Sequence, residues 1–532
     1  MNGRLAVAVV VISVGIWSRP TRGQSTSSGL QKPPSVQVDS YEQGQDTESE
    51  QSLVARVAEA EKLGEDNNPE LPVLLNNLAA VYEAEGKYAS AEPLFSRAVN
   101  LWEKGAGPKD MNLATGLGNL ARLYKLEGRY REAEPLYQQS LAIREQAAGP
   151  DSELVAVSAA SLADLYREEG RYAEAESLSE RAVGIEQKVA NPDESRLAVC
   201  LTSLAAVEEQ EGKYADAERL FKQVVAIQEK TYGAEHADVA TGLANLARLY
   251  SNEGKYAEAE PLCRRAIAIQ EKALGPAHPD LAVSLDELGQ IYQSEGNLTE
   301  SKALFEQALA IEEKSLGPDH PKVALTLLNL AQIYRDEGKL SECQPLIERS
   351  LAIMQKSLGS DHPYVAVALN NAATLLAMAN KYAEAEPLYQ RALTIWEKTL
   401  GPNHLFYGLA LGNLGTLYYN QGQLDQAKPL LEQSLTILEA AFGPDDPRVA
   451  QAVNRVAAVY VDQGLYDKAE PLCQRSLALL EKSSPPNYPA LIDALNNYAF
   501  LLSKTGHSVE AETLATKAMV YKAKYEELTQ KP

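Results

Sequence analysis

Five of the six histidines, His236, His278, His320, His362 and His404, recur at an interval of 42 residues. Imidazole is both a common metal ligand and the acid–base group of neutral pH, so such a row invites either chemistry. A metal ion needs its ligands within about 2 Å, whereas equivalent positions on stacked helical repeats lie roughly a helix diameter apart, about 8–10 Å. The same column elsewhere holds Asn68, Asp110, Ser152 and Asp446, residue types that cap helix N-termini. The histidines therefore read as caps. No metal and no catalytic residue is assigned to them.

A second row carries side-chain amides. Asn77, Asn119, Asn245, Asn329, Asn371, Asn413 and Asn497 share one column, which Ser161, Ser203, Glu287 and Arg455 fill elsewhere. Asparagine has poor helix propensity, and no local cap explains it in mid-helix. An amide offers both donor and acceptor. Such a row can pair with the backbone of an extended peptide, or it can form a ladder between neighbouring repeats. Carboxylate pairs such as Glu258 and Glu260 recur at helix starts, where they complement the helix dipole. No phosphate-cradling glycine loop, Cys-x-x-Cys, His-Glu-x-x-His or Gly-x-Ser-x-Gly occurs. The expectation is a non-enzymatic protein with no cofactor, no metal and no small-molecule substrate.

The elements that position these rows follow from the same period. A glycine recurs at positions 86, 128, 170, 212, 254, 296, 338, 422, 464 and 506, and Asn380 fills the one gap. Asparagine is the non-glycine residue that best tolerates a left-handed backbone, so this column predicts a tight helix-to-helix turn. Before the turn, Leu75, Leu78, Ala79 and Tyr82 fall at helical spacing; after it, Ala91, Leu94, Phe95, Ala98 and Leu101 do. Linkers such as Gly317-Pro318-Asp319-His320-Pro321 cap one helix and start the next. Eleven such units fit between 69 and 525, with a capping half-repeat over 51–68 and a short tail over 526–532. The fold class expected is all-α, a right-handed α-solenoid of about eleven 42-residue helix-turn-helix repeats. The last helix grows polar towards its end, as a terminal cap should.

The chain is 45% hydrophobic and carries a net charge of −23, which disfavours general affinity for nucleic acid or an anionic membrane. Its start reads as an export signal. Arg4 precedes an apolar run from Leu5 to Trp17, which as a helix rises about 20 Å, short of the ~30 Å hydrocarbon core. A signal peptide over 1–23 is expected, followed by a flexible spacer over 24–50, and hence a periplasmic or secreted protein. Cys200, Cys263, Cys343 and Cys473 sit in small or core columns of different repeats, so no disulfide framework is expected.

Leu78, Ala79, Tyr82, Gly86, Ala91, Phe95 and Ala98 together resemble the tetratricopeptide repeat. Units of that family are usually 34 residues long; the eight extra residues, the Ala-Glu-Pro-Leu start and the Gly-Pro-Asp-His-Pro linker resemble its kinesin-light-chain subtype. The coiled coil and motor partner of the light chain have no counterpart here. The resemblance implies that the asparagine column lines a concave groove holding an extended peptide of a partner protein. Arg122, Lys125, Arg167, Arg248 and Arg335 would share that face, selecting an acidic segment, or else pair with acids such as Glu83, Asp164 and Glu209. Thr374, Thr416, Tyr419 and Phe500 make its far end less charged. The expected role is thus a protein-interaction scaffold; the alternative is a structural, self-assembling module of an envelope-associated or secreted complex.

Overall fold

The computed structural model describes residues 50–62, 68–106, 110–189, 193–482 and 487–529. The expected signal peptide and nearly all of the expected spacer lie outside the described residues. The described chain is built from 23 α-helices, with no strand among the described residues. Eleven helix pairs run from Leu71–Ala84 with Tyr88–Ala106 to Tyr488–Lys504 with Ser508–Thr529. Each within-pair turn takes a positive φ, such as 76° at Gly254 and 59° at Asn380. The reason is a hydrogen bond that only this backbone can close. The Lys381 N–H bonds back to the Leu376 carbonyl at 2.8 Å, as Lys87 does to Tyr82, which satisfies an orphan carbonyl at the helix end.

The two helices of a pair occupy different layers. Every residue from Ala237 to Tyr250 in the first helix of the fifth repeat is buried. Its second helix, Tyr256–Leu274, buries only Ala259, Cys263, Ala266, Ile269 and Gln270, a single stripe. First helices therefore form the inner layer and second helices the outer one. Alanine at 91, 133, 217 and 259 is fully buried, letting the helices approach; Cys343 takes the same place with its thiol 3.1 Å from the Ala331 carbonyl oxygen. Successive repeats interlock large on small. Trp102 fills the space over Gly116, where a Cβ would meet the indole at 2.5 Å, and Arg144 bonds Ser158 at 2.9 Å in the equivalent pair.

The helix Glu50–Lys62 takes the place of a second helix. It buries Leu53, Val57 and Ala60, and Glu61 pairs with Arg97 as Glu229 pairs with Arg265 and Glu313 with Arg349 in later repeats. At the far end the expected polar cap is incomplete: Val509, Met519 and Val520 are 80%, 71% and 60% exposed. Met519 stands in a column whose counterparts Leu477 and Leu393 are buried, whereas the counterparts of Val509 and Val520, such as Asp467 and Ala478, are exposed as well.

The repeats wind into a superhelix whose successive turns touch. His362 Nε2 lies 2.9 Å from the Leu126 carbonyl oxygen, 236 residues earlier, so one superhelical turn takes about five and a half repeats of 42 residues. A single apolar cluster accordingly joins Leu120 and Leu123 to Val323 and Val365.

Candidate functional site

Each asparagine of the row sits on a first helix, in the inner layer. Asn77 and Asn119 are half-buried, whereas Asn245, Asn329, Asn371, Asn413 and Asn497 are buried. Three of them form rungs between neighbouring repeats. The Nδ2 of Asn119 donates to Asn76 Oδ1 at 2.9 Å, Asn413 donates to Asn370 at 3.1 Å, and Asn497 donates to Asn454 at 3.1 Å. Asn371 accepts from Asn370 at 3.3 Å. Of the two uses open to an amide row, the ladder is thus realised at these rungs. The acceptors Asn76, Asn370 and Asn454 were missed in the sequence, although the doublets Asn76-Asn77 and Asn370-Asn371 were the available signal. The Nδ2 of Asn329 is buried and has no hydrogen-bond partner among the described residues.

The five basic residues expected beside this column are each ion-paired. Arg122 meets Glu83 at 3.0 Å, and Arg248 meets Glu209 at 2.7 Å. Lys125 and Arg167 converge on Asp164, with Lys125 also 3.2 Å from Glu168. Arg335 holds Asp336 at 2.6 Å. Several of these pairs bridge first helices of adjacent repeats, and Lys125, Arg167 and Arg248 are buried. The Arg122–Glu83, Lys125–Asp164 and Arg248–Glu209 pairs are inter-repeat bridges in the inner layer, whereas Arg167–Asp164 and Arg335–Asp336 lie within one helix. Arg122 remains half-exposed.

The histidines cap helices. Nδ1 accepts the N–H two residues on at 3.3 Å for His236 and His278, 3.2 Å for His320, 3.0 Å for His362 and 3.1 Å for His404. Their 42-residue spacing is therefore a backbone requirement. The recurrent carboxylates do more than complement a helix dipole. Glu134, Glu218, Glu260 and Glu386 each accept the hydroxyl of a tyrosine from the next repeat, Tyr166, Tyr250, Tyr292 and Tyr418, at 2.8 to 3.0 Å. Where lysine replaces the acid, its ammonium lies over the ring: Lys302 is 4.4 Å from the Tyr334 centroid and Lys428 5.1 Å from that of Tyr460.

Two acidic clusters carry the remaining chemistry. Glu176, Glu208 and Glu211 converge closely enough to hold a cation. Lys213 already contacts all three, Glu176, Glu211 at 2.7 Å and Glu208 at 3.5 Å, so a cationic side chain sits where an ion would. The second cluster is deeper. Thr326 Oγ1 lies 2.9 Å from Asp286 Oδ2 and 2.8 Å from Glu312 Oε2. Burial pushes Glu312 up to about 7 and Asp286 well above the usual carboxylate range. Among the described residues no helix is long and apolar enough to cross a membrane.

The tetratricopeptide repeat family model matches residues 70–146, 127–188, 196–253, 238–311, 286–342, 323–398, 380–440 and 448–519. Among solved structures, the chain is similar to a Podosopora anserina putative kinesin light chain with nearly identical TPR-like repeats. That similarity has 34% identity over 39% of this chain and 97% of the other, with a TM-score of 0.33. BtubC (BKLC) from P. vanneervenii is 21% identical over 46% of this chain and 92% of its own, with a TM-score of 0.34. The search of curated proteins gave no match. The family match spans nearly all of the helical body, repeat after repeat: the chain belongs to the tetratricopeptide repeat family.

Proposed function

We propose that this chain is a non-catalytic scaffold that holds an extended segment of a partner protein against the inner face of its first repeats. Tetratricopeptide repeats are generally protein–protein interaction scaffolds, and the family match supports that role here. The observation that carries the finer reading is the gradient of exposure along the amide row. Asn77, Asn119 and Arg122 remain half-exposed, whereas the equivalents from Asn245 to Asn497 are buried. A partner's backbone would meet the accessible amides, and the Arg122 guanidinium would favour an acidic side chain beside them. Asn413 and Asn497, both buried, serve the ladder, and Asn119 keeps its side-chain carbonyl for a partner while its Nδ2 makes a rung.

The test is a photo-crosslinking residue placed at Asn119, with Asn413 as the buried control, in protein exposed to its native extract. An adduct at the first site alone is expected, and Asn77→Ala with Arg122→Gln should remove it, with circular dichroism melting to check that the variant is folded, since Arg122 also pairs with the buried Glu83. Equal adducts at both sites, or capture that survives the double variant, would sink the reading. Export completes the proposal. N-terminal sequencing of the mature protein should start near residue 24, and a retained Met1 would contradict it.

A further inference from the structure

Where the two superhelical turns touch, one rim of helix-to-helix turns meets one rim of helix N-caps. A Cβ on Gly86 would meet His320 at 2.9 Å, one on Gly128 would meet Pro363 at 2.3 Å, one on Gly170 would meet His404 at 3.2 Å, and one on Gly212 would meet Arg448 at 2.9 Å. Tyr88 and Tyr130, two residues past their glycines, are buried, and the Arg448 guanidinium lies 5.9 Å from the Tyr214 centroid. The contact recurs along four consecutive repeats, so it is a surface and not a single latch.

Both halves of this contact are repeated at the two ends of the superhelix without a partner among the described residues. A Cβ on Gly338, Gly422 or Gly464 meets nothing within 4 Å. At the opposite end, the imidazoles of His236 and His278 cap their helices in the same way but are 19% and 36% exposed, against 4% for His362. One end thus presents the turn rim and the other the N-cap rim.

Large apolar side chains are exposed at the matching positions of those rims. Met378, 46% exposed, is the counterpart of Leu126, whose carbonyl takes the His362 bond. Leu465, 37% exposed, directly follows the turn glycine Gly464. On the N-cap rim, Leu154 is 40% exposed; its counterparts one superhelical turn on are Tyr364, Phe406 and Arg448. Singly exposed apolar residues need no explanation. The placement of Met378 and Leu154 in columns that make the contact, with Leu465 on the same rim as Met378 at the next turn but one, and continuity with the contact already made within the chain, do.

We propose that the two free rims are the halves of one interface, through which copies of this chain stack head to tail along the superhelix axis. The occupant of each rim is a second copy, because the chain itself already carries a working example of the contact. Such an interface is heterologous: each copy leaves one rim free, and coaxial stacking continues the superhelix instead of closing a ring. The inference goes beyond partner capture and does not rest on it.

Sedimentation velocity and light scattering on the full chain over a roughly hundredfold concentration range test it, since mass action must then raise the average mass. The expected result is a mass that climbs at least roughly twofold. Met378→Glu with Leu465→Glu blocks the turn rim only, and Leu154→Glu blocks the N-cap rim only; each variant alone should fall back to smaller species. An equimolar mixture of the two should form a heterodimer that grows no further, because one intact pair of rims remains. Circular dichroism melting checks that each variant is folded, with Leu154→Gln as the milder substitute. A monomer at every concentration, assembly undiminished by both variants, or a mixture that stays monomeric would overturn the proposal.

Discussion

His362 serves two partners at once: its Nδ1 accepts the Tyr364 N–H at 3.0 Å while its Nε2 meets the Leu126 carbonyl oxygen at 2.9 Å, 236 residues away in sequence. Only the neutral imidazole with its proton on Nε2 can do both. Burial holds the group down to about 4, as it does His320 and His404.

Stability should therefore depend on this imidazole with a definite sign. The unfolded histidine takes a proton near 6.5 and the folded one near 4, so the unfolded state binds more protons in between. The contribution is fully kept above about 6.5 and is lost as pH falls towards 4. His362→Asn keeps a helix cap and deletes the turn-to-turn bond. It should cost about 1 kcal/mol at pH 7 and show a smaller loss than the parent between pH 7 and 5. Urea unfolding at the two pH values gives the difference between chains. Equal losses would remove the requirement for a neutral ring.

The cluster around Thr326 titrates with the opposite sign. A hydroxyl has one proton to donate, yet Thr326 is within hydrogen-bond distance of both Asp286 and Glu312, so one carboxyl must itself carry a proton. With Glu312 raised to about 7, the folded state holds a proton that the unfolded chain releases near 4.5. That stability is full below the unfolded value and is lost as pH rises through 7. Glu312→Gln replaces the proton with a permanent donor, and at pH 8 it should stabilise by on the order of 1–2 kcal/mol. Melting at pH 6 and pH 8 should show the parent falling more steeply than the variant.

Two glycines with similar backbones separate strain from crowding. Gly128 and Gly338 have φ of 68° and 76°. A Cβ at Gly128 would lie 2.3 Å from Pro363 Cδ, whereas one at Gly338 would meet nothing within 4 Å. Gly338→Ala should cost about 1–2 kcal/mol from the left-handed backbone. Gly128→Ala should cost that plus about 1–3 kcal/mol for overpacking. Equal shifts in denaturant midpoint would mean that the superhelical turns do not bear on each other in solution.

The amide ladder makes a separate claim. Asn413→Ala leaves Asn370 Oδ1 buried without its donor from the next repeat, at a cost of about 1–3 kcal/mol. Removing Asn370 as well should recover part of that loss, so the double variant should be less destabilised than the sum of the singles. Strict additivity in thermal unfolding would show that the rung carries no coupling.

Much of this fold is legible in the chain because its determinants are local. The Gly86 column needs a left-handed residue to close the Lys87-to-Tyr82 bond, and the only other residue there, Asn380, obeys the same rule. Histidine at 320 and aspartate at 446 perform the same cap, so their interchange could be read as capping before any coordinates. The candidate site was less legible. The Asn413 column announces an amide row, but neither its donor–acceptor direction nor the choice between peptide and ladder follows from one column. The acceptor stands in the adjoining column of the preceding repeat, where Asn370 alternates with Gly118, Ala160 and Asp286.

By itself the sequence determined the repeat, its turn and its caps, because each depends on residues within one unit or on the next. The tertiary structure alone decided which inner residues are covered. The small rotation between neighbouring repeats accumulates until residues 236 apart meet, and that separation is not a multiple of 42. No residue column is periodic at such a distance. Tyr130 is therefore buried at 6% under the next superhelical turn, while Tyr382, two residues past its own turn, stays half-exposed. The same local motif takes opposite surroundings, and only the winding of the whole chain distinguishes them.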